Sequence, residues 1–175
     1  CDMAEQAPEI VTTSGHPLDP PSREEIAAAG SLLKKHVGDE VIFASLALVE
    51  PPKRQVVEFE ANGQDTDNRL ARVVRIQGYD TAKKQSFSAT VDVSNNAVTD
   101  VRYISEGQAP LNFPDVVRVI TICKTDESWQ NAMRARGVED FTHVQIDPWP
   151  TGGYLHPNVP EGHRAMRAIS FVRED

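Results

Sequence analysis

Phe87-Ser88-Ala89-Thr90-Val91-Asp92-Val93-Ser94-Asn95-Asn96-Ala97-Val98-Thr99-Asp100-Val101-Arg102-Tyr103 is the stretch that decides the fold. Phe87, Ala89, Val91 and Val93 alternate with polar residues, so an extended chain here has one apolar face and one wet face. Asn95-Asn96 tolerates positive φ and suits a tight hairpin turn. Val98 to Tyr103 then returns antiparallel. The same two-residue period predicts further strands upstream, giving a set at 41–49, 54–60, 70–78, 86–93 and 97–104.

One helix precedes this meander. Ser22 and Glu25 form a capping box, in which the hydroxyl accepts the Glu25 amide and the carboxylate returns to the Ser22 amide. The helix is predicted to run to about Val37, with Ile26, Ala29, Leu33 and Val37 facing inward and Gly38 ending it. Before it, residues 1–21 carry Pro8, Pro17, Pro20 and Pro21 among polar residues and read as extended chain. A helix on one face of an antiparallel sheet is a two-layer α+β sandwich.

A second cycle follows the Gly107–Pro114 linker. Asp115–Cys123 is apolar with helical spacing, Glu127–Arg136 is amphipathic, and Gly137 closes the helix. His143–Ile146 and Ala165–Val172 read as strands. Two strands cover a helix poorly, so the second sheet is expected to be short or to be completed by something else. The organisation expected is an arm at 1–15, an α+β domain at 16–106 and a partial one at 107–175.

Composition narrows the function classes. With 39% hydrophobic and 25% charged residues, the 175-residue chain can bury a core. Its formal net charge of −8 opposes binding to nucleic acid, whose affinity comes from neutralised phosphates. The longest apolar-rich run, Val41–Val49, is interrupted by Ser45 and falls short of the roughly 20 residues of a membrane span. The opening Cys1-Asp2-Met3 admits a cut in a longer chain or a mature bacterial lipoprotein, which would place it at the cell envelope. Cys123, the other cysteine, sits in an apolar run and reads as an inert thiol.

The sequence carries no phosphate loop, no dinucleotide fingerprint and no zinc-like spacing of cysteines or histidines. Of His16, His36, His143, His156 and His163, only the last two share a loop, and solvated loop histidines are the simpler reading. Asp92 and Asp100 flank the hairpin, where carboxylates bond local backbone. Ser14, Ser45, Ser86 and Ser88 lack a nucleophile elbow. Asp147-Pro148-Trp149-Pro150-Thr151-Gly152-Gly153 holds a large aromatic between two prolines and before two glycines, as a rigid turn. Its ring either plugs the second core or lines a groove.

His16-Pro17-Leu18-Asp19-Pro20-Pro21-Ser22-Arg23-Glu24-Glu25-Ile26 resembles the segment that opens the N2 domain of copper amine oxidases. Leu48-Val49-Glu50-Pro51-Pro52-Lys53 is similar to the family's Leu-x-Glu-Pro-x-Lys strand end, and Arg69-Leu70-Ala71 to its Arg-x-Ala strand. Ala89–Val93 with Val98 resembles its Val-Asp-Leu hairpin. Arg136-Gly137-Val138 with Val144–Gly152, and Arg164–Val172, resemble the N3 segments.

The resemblance implies two peripheral domains with a cystatin-like look. It also implies a copper and topaquinone centre in a large C-terminal catalytic domain, the expected partner in the same or a separate chain; a homodimer is open. The family's Asn-Tyr and His-x-His motifs are absent, so no catalytic, cofactor or metal residue carries over, and the chain alone is expected to oxidise nothing. Pro148 and Trp149 carry over as amine-channel wall, although the family's N3 continues for two more strands. The rival reading is a stand-alone, lipid-anchored binding protein of cystatin-like fold.

Overall fold

The computed structural model describes residues 15–62, 70–152, 156–159 and 163–172. Residues 1–14, with Cys1, Pro8 and Ser14, lie outside them, as do Arg69, Gly153 and Tyr154. The chain divides into two units, Cys1–Ser105 and Glu106–Asp175.

Unit 1 is an α+β sandwich. Helix α1 (Arg23–Val37) is followed by β1 (Val41–Leu48), α2 (Lys53–Asn62), β2 (Val73–Asp80), β3 (Gln85–Asp92) and β4 (Ala97–Ile104). The strands form one antiparallel sheet in chain order. The Ser22–Glu25 capping box is present in both directions, and Gly38 ends α1 at φ 104° with its N–H on the Lys34 carbonyl. Val74 and Ile76 of β2 and Phe87, Ala89 and Val91 of β3 alternate inward with Val93 just beyond, against Ala29 and Leu33 of α1. Gly78 lies under this layer: an added Cβ would fall 2.4 Å from the Ile42 carbonyl oxygen and 2.8 Å from the Phe87 ring. The β3–β4 turn is the expected one, with Asn96 at φ 52° and the Asp92 carboxylate accepting the Asn95 amide.

Two expectations for unit 1 are corrected. The strand expected at 54–60 is helix α2. The Val56-Val57-Glu58-Phe59 pattern mimics alternation, but Arg, Gln and Glu favour helix and Pro51-Pro52 suits a helix start. The Pro52 carbonyl accepts the Gln55 amide, Arg54 pairs with Glu58 four residues on, and Val56 alone is buried. Ile26, expected inward, is 41% exposed; Glu25 is buried instead.

Glu25 turns inward because Arg72 meets it. The Arg72 Nε donates to Glu25 Oε1 at 2.8 Å and its Nη2 to Oε2 at 3.1 Å. The same guanidinium donates to the Pro17 and Asp19 carbonyls at 2.9 Å and to that of Pro20 at 3.4 Å. One residue just before β2 thereby ties the proline segment and the first turn of α1 to the sheet. His16 adds a contact with Glu60 at 3.3 Å and an edge-on contact with Phe59, joining the segment to α2.

At the β2–β3 turn the Asp80 carboxylate is buried, with the Tyr103 hydroxyl donating to it at 2.9 Å, the Lys83 amide at 2.9 Å and the Lys83 ammonium 3.7 Å away. Burial pushes its pKa up, but the Lys83 amide, the Tyr103 hydroxyl and the Lys83 charge outweigh burial, so the net shift is downward. A folded pKa below the unfolded one stabilises above the ordinary carboxylate value, and that gain is lost as pH falls through the folded pKa. Asp80→Asn is therefore expected to destabilise unit 1 at pH 7, with the gap to wild type closing below about pH 4. Urea unfolding of both at pH 7 and pH 3 checks this; a gap that does not change with pH contradicts it.

Unit 2 comprises α3 (Phe113–Thr125), α4 (Glu127–Arg134), a short 3-10 turn at Phe141–His143, and the strands β5 (Val144–Pro150) and β6 (Met166–Val172), paired antiparallel. Met133, Val144 and Ile146 form its core with Trp129, Val138 and Phe141 packed on. The strand expected at His143–Ile146 begins at Val144 and extends to Pro150, so the Asp147–Pro150 segment, expected as a turn, is strand.

Candidate functional site

The Asp147–Trp149 segment owes its geometry to period two. Val144, Ile146 and Pro148 point inward and are buried; Gln145 and Trp149 point outward. Pro148, expected beside Trp149 on a wall, thus faces the core. Trp149 is 51% exposed, which excludes its ring as the core plug. The core tryptophan is Trp129, whose ring meets Phe141 edge-on at 5.4 Å between centroids and whose indole N–H donates to Ser170 Oγ at 3.1 Å.

The Trp149 indole N–H donates to Asp147 Oδ2 at 2.8 Å, which orients the ring on the sheet's outer face. Across the ladder Gln145 faces Phe171, Asp147 faces Ile169 and Trp149 faces Arg167. Phe171 is 50% exposed, so two aromatic rings with one acid and one base share this outer face. Such a mixed aromatic surface suits contact with another protein surface or a small organic molecule.

The site is braced by a second arginine clasp. Asn112 and Asp115 form a capping box at the start of α3, and Arg164, just before β6, pairs through Nε and Nη2 with Asp115 Oδ2. Arg164 also donates to the Ala109 and Pro110 carbonyls at 2.8 and 3.0 Å. The offsets match unit 1: the carbonyls of Asp19 and Pro20 lie six and five residues before Glu25, and those of Ala109 and Pro110 six and five before Asp115. Both acids are the third helical residue of their caps, and both arginines precede a strand. The sequence signal was there, in Pro20-Pro21-Ser22-x-x-Glu25 against Pro110-Leu111-Asn112-x-x-Asp115.

The remaining sequence-selected residues do not converge. Asp92 bonds Asn95 and Asp100 pairs with Arg102 on the surface. His143 lies 3.6 Å from Asp140, while His156 accepts the Asn158 amide through Nδ1. Ser45 bonds Gln77. Burial pushes the Cys123 thiol up, with the Asp126 charge adding to it, so it is poorly ionised as a nucleophile. Among the described residues no group of three His, Cys, Asp or Glu is placed to hold a metal ion. Tyr103 is engaged by Lys83 and Asp80. No helix among the described residues is long and apolar enough to cross a membrane.

Comparison with known proteins gives a consistent set. The family model described as copper amine oxidase, N2 domain, matches residues 16–104. The primary amine oxidase of Arthrobacter sp. (strain P1) is 31% identical over 170 residues, covering 95% of this chain and 25% of that protein. The histamine oxidase of Arthrobacter globiformis is 31% identical over 165 residues, covering 91% of this chain and 23% of that protein. The solved structure of a copper-containing benzylamine oxidase from Hansenula polymorpha shares the fold, with a TM-score of 0.65 at 22% identity over 79% of this chain and 22% of that one. The chain spans about a quarter of the length of these relatives.

Proposed function

This chain belongs to the copper amine oxidase family, and from that membership we propose that it serves as the non-catalytic N-terminal region, N2 followed by an N3-like unit, of a primary-amine oxidase. The carrying observation is the pairing of two coverages: similarity to the Arthrobacter enzyme runs over 95% of this chain, well into unit 2, yet fills 25% of that protein. The assembly would convert a primary amine, oxygen and water to aldehyde, ammonia and hydrogen peroxide. Copper and topaquinone would belong to its catalytic domain, in the same or a separate chain.

Within that assembly this chain supplies structure and one surface. The outer face of β5, with Trp149 oriented by Asp147 and backed from the core side by Pro148, is the proposed wall of the amine path. Depleting a native lysate with antibody against this chain is expected to remove amine-dependent peroxide production, while the purified chain produces none. Peroxide production that survives complete depletion would overturn the reading. In the assembled oxidase Trp149→Ala is expected to raise KM for bulky amines at least threefold, and an unchanged KM would remove the wall assignment.

A further inference from the structure

We propose that Gln108 is a positioning residue for that wall: its single amide clamps both ends of the β5–β6 connection and so fixes the strand end that carries Trp149. The proposal rests on reading Trp149 as channel wall. The Gln108 Nε2 donates to Thr151 Oγ1 at 3.3 Å, and its Oε1 accepts the Ala165 amide at 3.0 Å. Ala165 can only donate through its backbone nitrogen, so the amide oxygen must face it and the NH2 must face Thr151.

The clamp sits at the end of the β5–β6 ladder. The last β5–β6 pair is Pro150 with Met166. Thr151 and Ala165 are the next residues outward on each strand, and Gln108 bridges them. The neighbouring carbonyls of Ala109 and Pro110 hold Arg164, one residue before Ala165. The 108–110 segment thereby grips the incoming stem of β6 at consecutive positions and the outgoing stem of β5 two residues after Trp149. A loosened stem would let the Trp149 ring shift relative to an amine passing it, at no cost to chemistry performed elsewhere.

Gln108→Leu removes both bonds at similar volume, Thr151→Val removes one, and Gln108→Glu keeps both, because the Thr151 hydroxyl can turn to donate. By hydrogen exchange of the full chain, Gln108→Leu is expected to speed exchange of the Ala165 amide about three- to tenfold while leaving β1–β4 unchanged. Gln108→Glu restores protection. In the quinone-bearing assembly Gln108→Leu is expected to raise KM for bulky amines in the same direction as Trp149→Ala, with kcat within twofold and rescue by Gln108→Glu. Unaltered Ala165 exchange overturns the clamp. Faster exchange with a flat KM, where Trp149→Ala moves KM, overturns the positioning role and leaves the wall reading standing. A flat KM in both variants overturns the wall reading and with it the positioning role.

Discussion

Arg72→Leu is expected to lower the stability of unit 1 by about 3–5 kcal/mol, the usual cost of stranding one member of a buried ion pair. Glu25 is 1% exposed, and its carboxylate would lose both bonds of the guanidinium fork. The carbonyls of Pro17, Asp19 and Pro20 would lose their shared donor in the same step. Arg72→Lys retains the charge but not the fork, so it should fall between wild type and Arg72→Leu. The double variant Glu25→Leu/Arg72→Leu should recover part of the loss, because no charge is then left buried alone. Urea unfolding followed by far-UV circular dichroism measures all three. A loss under about 1 kcal/mol for Arg72→Leu would mean that the pair is screened by water and does not tie the proline segment down.

The two tryptophans should behave oppositely. Trp129→Ala empties a contact with Phe141 and Met133 and breaks the bond to Ser170, so about 3 kcal/mol should be lost from unit 2. Trp149→Ala removes an outward ring and should change stability by no more than about 0.5 kcal/mol. Because unit 1 holds no tryptophan, fluorescence in each single variant reports unit 2 through the ring that remains. Comparable losses in both variants would contradict the placement of Trp129 in the core and Trp149 on the outer face.

The hairpin and the first helix are legible because their determinants are local. Phe87 to Val93 alternates, Asn95-Asn96 turns, and Ser22 with Glu25 caps within one turn. The inward position of Glu25 is not legible, because Arg72, which stabilises it there, stands 47 residues away. Helix α2 is hidden because two adjacent valines and a phenylalanine imitate alternation, while the prolines before them suit a strand end as well as a helix start. At Asp147–Pro150 the prolines suggest a turn, whereas Val144, Ile146 and Pro148 continue one strand face to the end of β5. Trp129 could have been found from its spacing of four to Met133 on an amphipathic helix. Gln108 could not, since its partners lie 43 and 57 residues on. The functional reading comes from the ordered family motifs.

We propose that the chemistry lies outside this chain, in an amine oxidase of which it forms the N-terminal part. Capturing the native antigen with antibody against this chain, and measuring its polypeptide mass and quinone content, tests it most directly. The account predicts a quinone-bearing assembly, either one much longer polypeptide or a chain of this size with a quinone-bearing companion. A free chain of this size with neither quinone nor companion would contradict the claim and leave a stand-alone binding protein in its place.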